Sequence, residues 1–120
     1  MSKKKFPTKG KPTKANAEQF DMLSPILNSV YEEIKELSKK KQDGVLNELK
    51  VKMTNRILSK VQTIMKDDPT VEFLDLLDEE SLPTNSDAVL IIAQFQAAMT
   101  QYHDKHYGWD GIEHGWSTSD

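Results

Sequence analysis

Ser86 to Tyr107 reads SDAVLIIAQFQAAMTQYHDKHY and contains the longest unbroken apolar run of the chain, Ala88 to Ala93. Apolar residues recur at helical spacing as Ala88, Ile92, Phe95, Met99 and Tyr102, and a second row through Ile91 and Ala98 widens the stripe. A face that broad belongs to a helix buried along its length, with the rest of the chain packed around it. Asn85 or Ser86 is the expected N-cap, and Asp87 suits the first turn. Gly108 is placed to end the helix in the left-handed conformation.

Upstream, Phe20, Leu23, Leu27, Val30, Ile34 and Leu37 are spaced alternately by three and four residues, the heptad seam of a packed helix. This first helix is expected to begin near Asn16, which has capping-box spacing to Gln19. Pro25 lies off the seam, so the helix is expected to continue through it with a kink. Gln42-Asp43-Gly44 reads as a turn. A second helix follows from Val45 to Lys66, with Leu46, Leu49, Met53, Ile57, Val61 and Ile64 as its expected buried face. Asp67-Asp68-Pro69 ends it, because the residue before proline is driven out of the helical region. A short acidic helix is expected from Val71 to Glu79, capped by Thr70, and a linker at Leu82–Asn85 leads into the central helix.

The fold class that follows is all-α: a small bundle of three long helices plus one short acidic helix, with a disordered basic N-terminal arm. Strands are not expected, since Val and Ile fall in helical registers. The divisions are an arm over 1–15, a bundle over 16–108 and a polar tail over 109–120. A chain of 120 residues supports one core. It has no cysteine, which removes disulfides and thiolate chemistry and fits a cytoplasmic setting. A span across a membrane needs ~20 apolar residues, and the basic N-terminus lacks the apolar core of a signal peptide. Neither a membrane role nor a cofactor is expected.

Net charge is −3, but the average hides a division. Residues 1–66 carry 15 of the 16 basic residues against 7 acidic ones, a net +8, whereas residues 67–120 carry Lys105 against 12 acidic residues, a net −11. Such asymmetry points to association, between the halves or with a partner. The arm alone holds Lys3, Lys4, Lys5, Lys9, Lys11 and Lys14 on a Pro/Gly/Thr background too polar to offset its ordering entropy. Lysines of that kind neutralise phosphates or meet an acidic protein surface. Lys52, Arg56 and Lys60 recur along the second helix and extend the basic footprint.

The short acidic stretch VEFLDLLDEE has the composition of an interaction motif, with Phe73, Leu74 and Leu77 as candidate partner-binding residues. His103, His106 and His114 are weak metal candidates within YHDKHYGWDGIEHGW; their spacing also fits histidines that complement a helix C-terminus. No catalytic set is found. The chain has no glycine-rich phosphate loop and no G-x-S-x-G. After Arg56, Val61, Gln62 and Thr63 stand where small helical ribonucleases place a histidine. The expectation is therefore a non-catalytic interaction protein, a small accessory or regulatory subunit whose basic arm touches nucleic acid or an acidic partner, with protein partners or self-association favoured by its long helices. A stand-alone nucleic-acid-binding protein is the alternative. A metal protein or enzyme built on the His103–His114 region is the third.

Overall fold

The heptad seam does form the first helix. In the computed structural model, which describes Phe6, Pro7 and residues 9–120, α1 spans Lys14–Lys40. It buries Phe20, Leu23, Leu27 and Ile34, with Val30 and Leu37 packed at the margin. Its cap is Thr13, whose hydroxyl accepts the Asn16 N–H at 3.1 Å, so the helix starts two residues before the expected Asn16. Pro25 lies inside α1 without ending it. Proline leaves the Asp21 carbonyl without its usual donor, and in the same turn the Ser24 hydroxyl donates to the Phe20 carbonyl at 2.9 Å.

The second helix, α2, spans Glu48–Ile64 and is capped by Asn47, which accepts the Lys50 N–H at 2.9 Å. It begins three residues later than the expected Val45, and its buried face is rotated from the expected one. Val51, Thr54, Asn55, Leu58, Val61 and Ile64 face inward, whereas Leu49 is 68% exposed and Met53 57% exposed. Leu46 is buried from the loop ahead of the helix, and Ile57 is half-buried.

The expected acidic helix over Val71 to Glu79 does not form. Asp68, not Thr70, caps a 3-10 turn at Pro69–Phe73, and a strap without helix, residues 74–83, follows. The strap runs back along α2. Gln62 Nε2 donates to the Leu74 carbonyl at 2.7 Å, and Asn55 pairs with both backbone groups of Leu77 at 2.8 Å each. The dimensions account for the extended form. Gln62 and Asn55 are separated by about 10 Å of helix, which three residues of extended chain also cover at about 3.3 Å each. In a helix over 71–79 the Leu74 carbonyl and the Leu77 N–H would be committed to the helix's own ladder, so the bonds to Gln62 and Asn55 require the extended form.

That third helix, α3, spans Asn85–His106 and is the central element expected. Ala88, Ile92, Phe95, Ala98, Met99 and Tyr102 are all buried. Thr84 is the cap, accepting the Asp87 N–H at 3.1 Å, and Asn85 has a different task. Asn85 is buried and clasps the α1–α2 loop: its N–H meets the Gly44 carbonyl at 2.8 Å and its Nδ2 the Lys41 carbonyl at 2.9 Å. Leu46 N–H donates to the Pro83 carbonyl at 2.9 Å, tying strap and loop together. α1 thus runs antiparallel to both α2 and α3. α2 and α3 run parallel, which is why a return strap is needed between them.

The tail is not simply polar chain, and the described residues do contain strands. β1 (Tyr107–Trp109) and β2 (His114–Trp116) pair antiparallel, with Gly108 opposite Gly115. Tyr107, not Gly108, closes α3; among the described residues the positive φ values are those of Gly10 and Gly111. Asp110 Oδ1 accepts the N–H groups of Ile112 and Glu113 at 2.8 and 2.9 Å, and Gly111 takes a φ of 105° to complete the turn. Trp116 packs edge-on against Phe20 and His103 and donates its indole N–H to Asp21 at 3.0 Å.

The portion of the arm nearest α1 is held. Ser119 N–H donates to the Pro12 carbonyl at 2.9 Å, and Lys14 N–H donates to Asp120 at 2.8 Å. Lys3, Lys4 and Lys5, and with them the expected disorder of that stretch, lie outside the described residues. No helix among the described residues is long and apolar enough to cross a membrane.

Candidate interaction surface

Arg56 and Lys60 point to solvent on α2, but not onto a purely polar face. Beside them runs an apolar groove of about 420 Å³ between α1 and α2. Met22, Ile26, Met53 and Ile57 line it, Gln19 closes one end, and Arg56 and Lys60 form the basic rim. Met22 is 65% exposed and Ile26 is exposed as well. Both lie off the heptad seam, so α1 presents large apolar side chains on a second row. The long aliphatic stems of Arg56 and Lys60 suit such a rim, covering apolar surface while the charge stays in water. Among the described residues neither cation forms an ion pair. Lys52 stands apart from the groove: it binds Glu48 at 2.9 Å, and that hydrogen bond and charge raise its pKa from the ordinary lysine value.

The remaining candidates are distributed differently. Lys9 is exposed, Lys11 is half-buried and Lys14 opens α1. Gly10 accepts the Tyr102 hydroxyl at 3.4 Å and lies against Asp67, so the root of the arm sits at the C-terminal end of α2. Of the proposed partner-binding residues, Leu74 and Leu77 are buried in the chain's own core, while Phe73 is 71% exposed.

The histidines do not converge. His103 stacks on Tyr107 at 4.5 Å, His106 is buried against Tyr102, and exposed His114 lies beside Trp109. Among the described residues no three His, Asp or Glu side chains are grouped to hold a metal. A second groove, between α1 and α3, has a more polar wall of Ser24, Asn28, Gln96, Thr100 and His103.

One ion pair joins an exposed ammonium to a buried carboxylate. Lys105 reaches Asp68 at 2.9 Å, and the Asp68 side chain is 4% exposed. Burial opposes the Asp68 charge, but the Thr70 hydroxyl, the Lys105 ammonium and the Thr70 N–H outweigh it and hold the carboxyl below its ordinary value of 3.8. Tyr102 shifts the other way: burial, then the charges of Asp68 and Asp67, push its phenol up to about 12. A depressed carboxyl adds stability above its unfolded value, and that stability is lost as pH falls through the folded value. Asp68→Asn is therefore expected to lower the melting temperature at neutral pH. The gap to the parent should close in acid, below the ordinary carboxylate range. A gap that stays constant down that titration would remove Asp68 from the acid response.

Comparison with known proteins returns no match: no family model, no curated protein and no solved structure is similar enough to this chain to inform its function.

Proposed function

We propose that the chain is a small non-catalytic interaction protein, an accessory subunit whose α1/α2 groove takes an acidic, apolar segment of a protein partner. The observation that carries this reading is the combination of exposed Met22, Ile26 and Met53 with the ion-pair-free rim of Arg56 and Lys60. Adjacent large apolar side chains left in water mark contact surfaces more often than isolated ones do. Methionine suits a groove that must adapt to its occupant. A flanking cation pair selects partners by charge and accelerates encounter.

The test is a fluorescein-labelled amphipathic peptide built of leucine and glutamate, titrated against the full chain. Saturable binding is expected, weakened by salt. Arg56→Glu with Lys60→Glu is expected to lower affinity at least about tenfold, because it sets like charges against each other across the rim. Binding that ignores these substitutions would dissociate the groove from the function.

A second reading rests on the root of the arm. Because Gly10 lies against Asp67, Lys9 and Lys11 stand at the end of the molecule that also carries Lys60 and Lys66. A phosphate backbone laid along that end would bind with a log–log salt slope of roughly −0.9 per duplex phosphate neutralised. Duplex DNA binding more tightly than the acidic peptide, with such a slope, would favour this reading over the first.

A further inference from the structure

The groove has a counterpart on the same molecule. At the end of the 3-10 turn and along the strap after it, Phe73 and Leu76 are exposed, and so are their acidic neighbours in sequence, Glu72, Asp75 and Glu80. Among the described residues none of these three acids forms an ion pair. The strap is therefore an acidic-rimmed apolar ridge, and the groove a basic-rimmed apolar cleft. The two carry the opposed charges that divide residues 1–66 from 67–120, at +8 and −11.

They cannot meet within one molecule. Met53 and Lys60 face the groove, whereas Asn55 and Gln62 hold the strap. Each pair is two residues apart, and two residues on a helix point about 160° away from each other. Groove and strap therefore occupy opposite sides of α2, and the hydrogen bonds of Leu74 and Leu77 anchor the strap where it is. Any pairing of the two surfaces has to occur between molecules.

We propose that the occupant of the groove is the strap of a second copy of this chain, so that the protein self-associates head to tail. The inference rests on the reading of the groove as a docking site. Phe73 and Leu76 of one copy fill the cleft between Met22, Ile26 and Met53 of the next, and Glu72, Asp75 and Glu80 meet Arg56 and Lys60. Such a contact is heterologous: each copy keeps one free groove and one free strap, so assembly continues past two copies unless the rotation closes a ring.

Sedimentation velocity on the full chain tests this. At low salt the weight-average sedimentation coefficient is expected to rise with protein concentration, to the dimer value if two copies close on each other and beyond it otherwise, and to fall back in high salt. Two variants separate the surfaces: Arg56→Glu with Lys60→Glu removes the groove rim, and Phe73→Ser with Leu76→Ser removes the ridge. Each alone is expected to stay monomeric with a parental helical melt, because the altered side chains are exposed. Mixed together they are expected to form a complex of two and stop there, since one supplies an intact strap and the other an intact groove. A parent that remains monomeric at every concentration would overturn the proposal, as would either variant assembling like the parent, or a mixture that stays monomeric. If the leucine–glutamate peptide binds while the parent stays monomeric, self-association falls and the docking groove stands. If that peptide also fails to bind, the docking reading falls with it.

Discussion

Phe95→Ala is expected to lower folding stability by about 3–5 kcal/mol, the cost of emptying an aromatic site in a packed core. Phe95 is fully buried in the middle of α3. α3 packs along α1, with Leu27 and Ile34 in the same core, so neighbouring side chains cannot easily collapse into the space. Domains of this size are stable by only about 5–15 kcal/mol, so the substitution removes a large share of the total. Equilibrium urea unfolding followed by circular dichroism measures it. Leu90→Ala on the same helix provides the comparison: Leu90 is exposed, and its loss is expected to stay within about 0.5 kcal/mol. A Phe95→Ala loss below about 1 kcal/mol would mean that α3 is not the centre of the core.

Asn55→Ala is expected to cost about 2–5 kcal/mol, although it deletes a polar side chain and leaves a good helix former. Asn55 is buried and serves the strap as a strand would: Nδ2 donates to the Leu77 carbonyl and Oδ1 accepts the Leu77 N–H, both at 2.8 Å. Nδ2 also reaches Glu79 at 3.0 Å. Alanine leaves both backbone groups of Leu77 without partners in a site water does not reach, and each such group costs about 1–3 kcal/mol. Hydrogen exchange gives a local readout, since the Leu77 amide is expected to lose its protection while amides in the middle of α3 keep most of theirs.

Asn55→Asp separates the hydrogen bonds from size. An ionised carboxylate still accepts the Leu77 N–H, but it cannot donate to the carbonyl and it adds a charge beside Glu79. Burial and Glu79 raise the pKa of the introduced carboxyl, so this variant is expected to regain stability as pH falls and to lose it as pH rises through that raised value. An Asn55→Asp variant that is most stable at neutral pH would contradict the clasp.

Much of the bundle was legible from residue spacing. The α1 seam from Phe20 to Leu37 and the α3 stripe from Ala88 to Tyr102 read correctly because each repeats over many turns, and a long repeat admits few faces. α2 misled because it has two apolar rows. Leu49, Met53 and Ile57 fit the helical period as well as Val51, Leu58 and Val61 do, but Leu49 and Met53 stay exposed, and Met53 and Ile57 line the groove. Met22 and Ile26 gave a usable signal, being large apolar residues off a well-defined seam. The hairpin also had one in Asp110-Gly111 between Trp109 and Ile112, a dipeptide that favours tight turns.

The sequence by itself determined that the chain is helical, where its two longest helices lie, and that its charge is divided along its length. These properties are local or periodic, and each can be summed over neighbouring residues. The tertiary structure decided which row of α2 is covered, because burial depends on which neighbour arrives there. It decided that VEFLDLLDEE forms a 3-10 turn followed by extended chain, because Gln62 and Asn55 take the Leu74 carbonyl and both backbone groups of Leu77, which a helix there would keep for its own ladder. It decided, too, that Leu74 and Leu77 point inward while Phe73 and Leu76 stay in water, since Asn55 and Gln62 fix the strap against α2. Tertiary neighbours and the side-chain amides of Asn55 and Gln62 made those choices, and they act between residues far apart in sequence, beyond the reach of propensity or period.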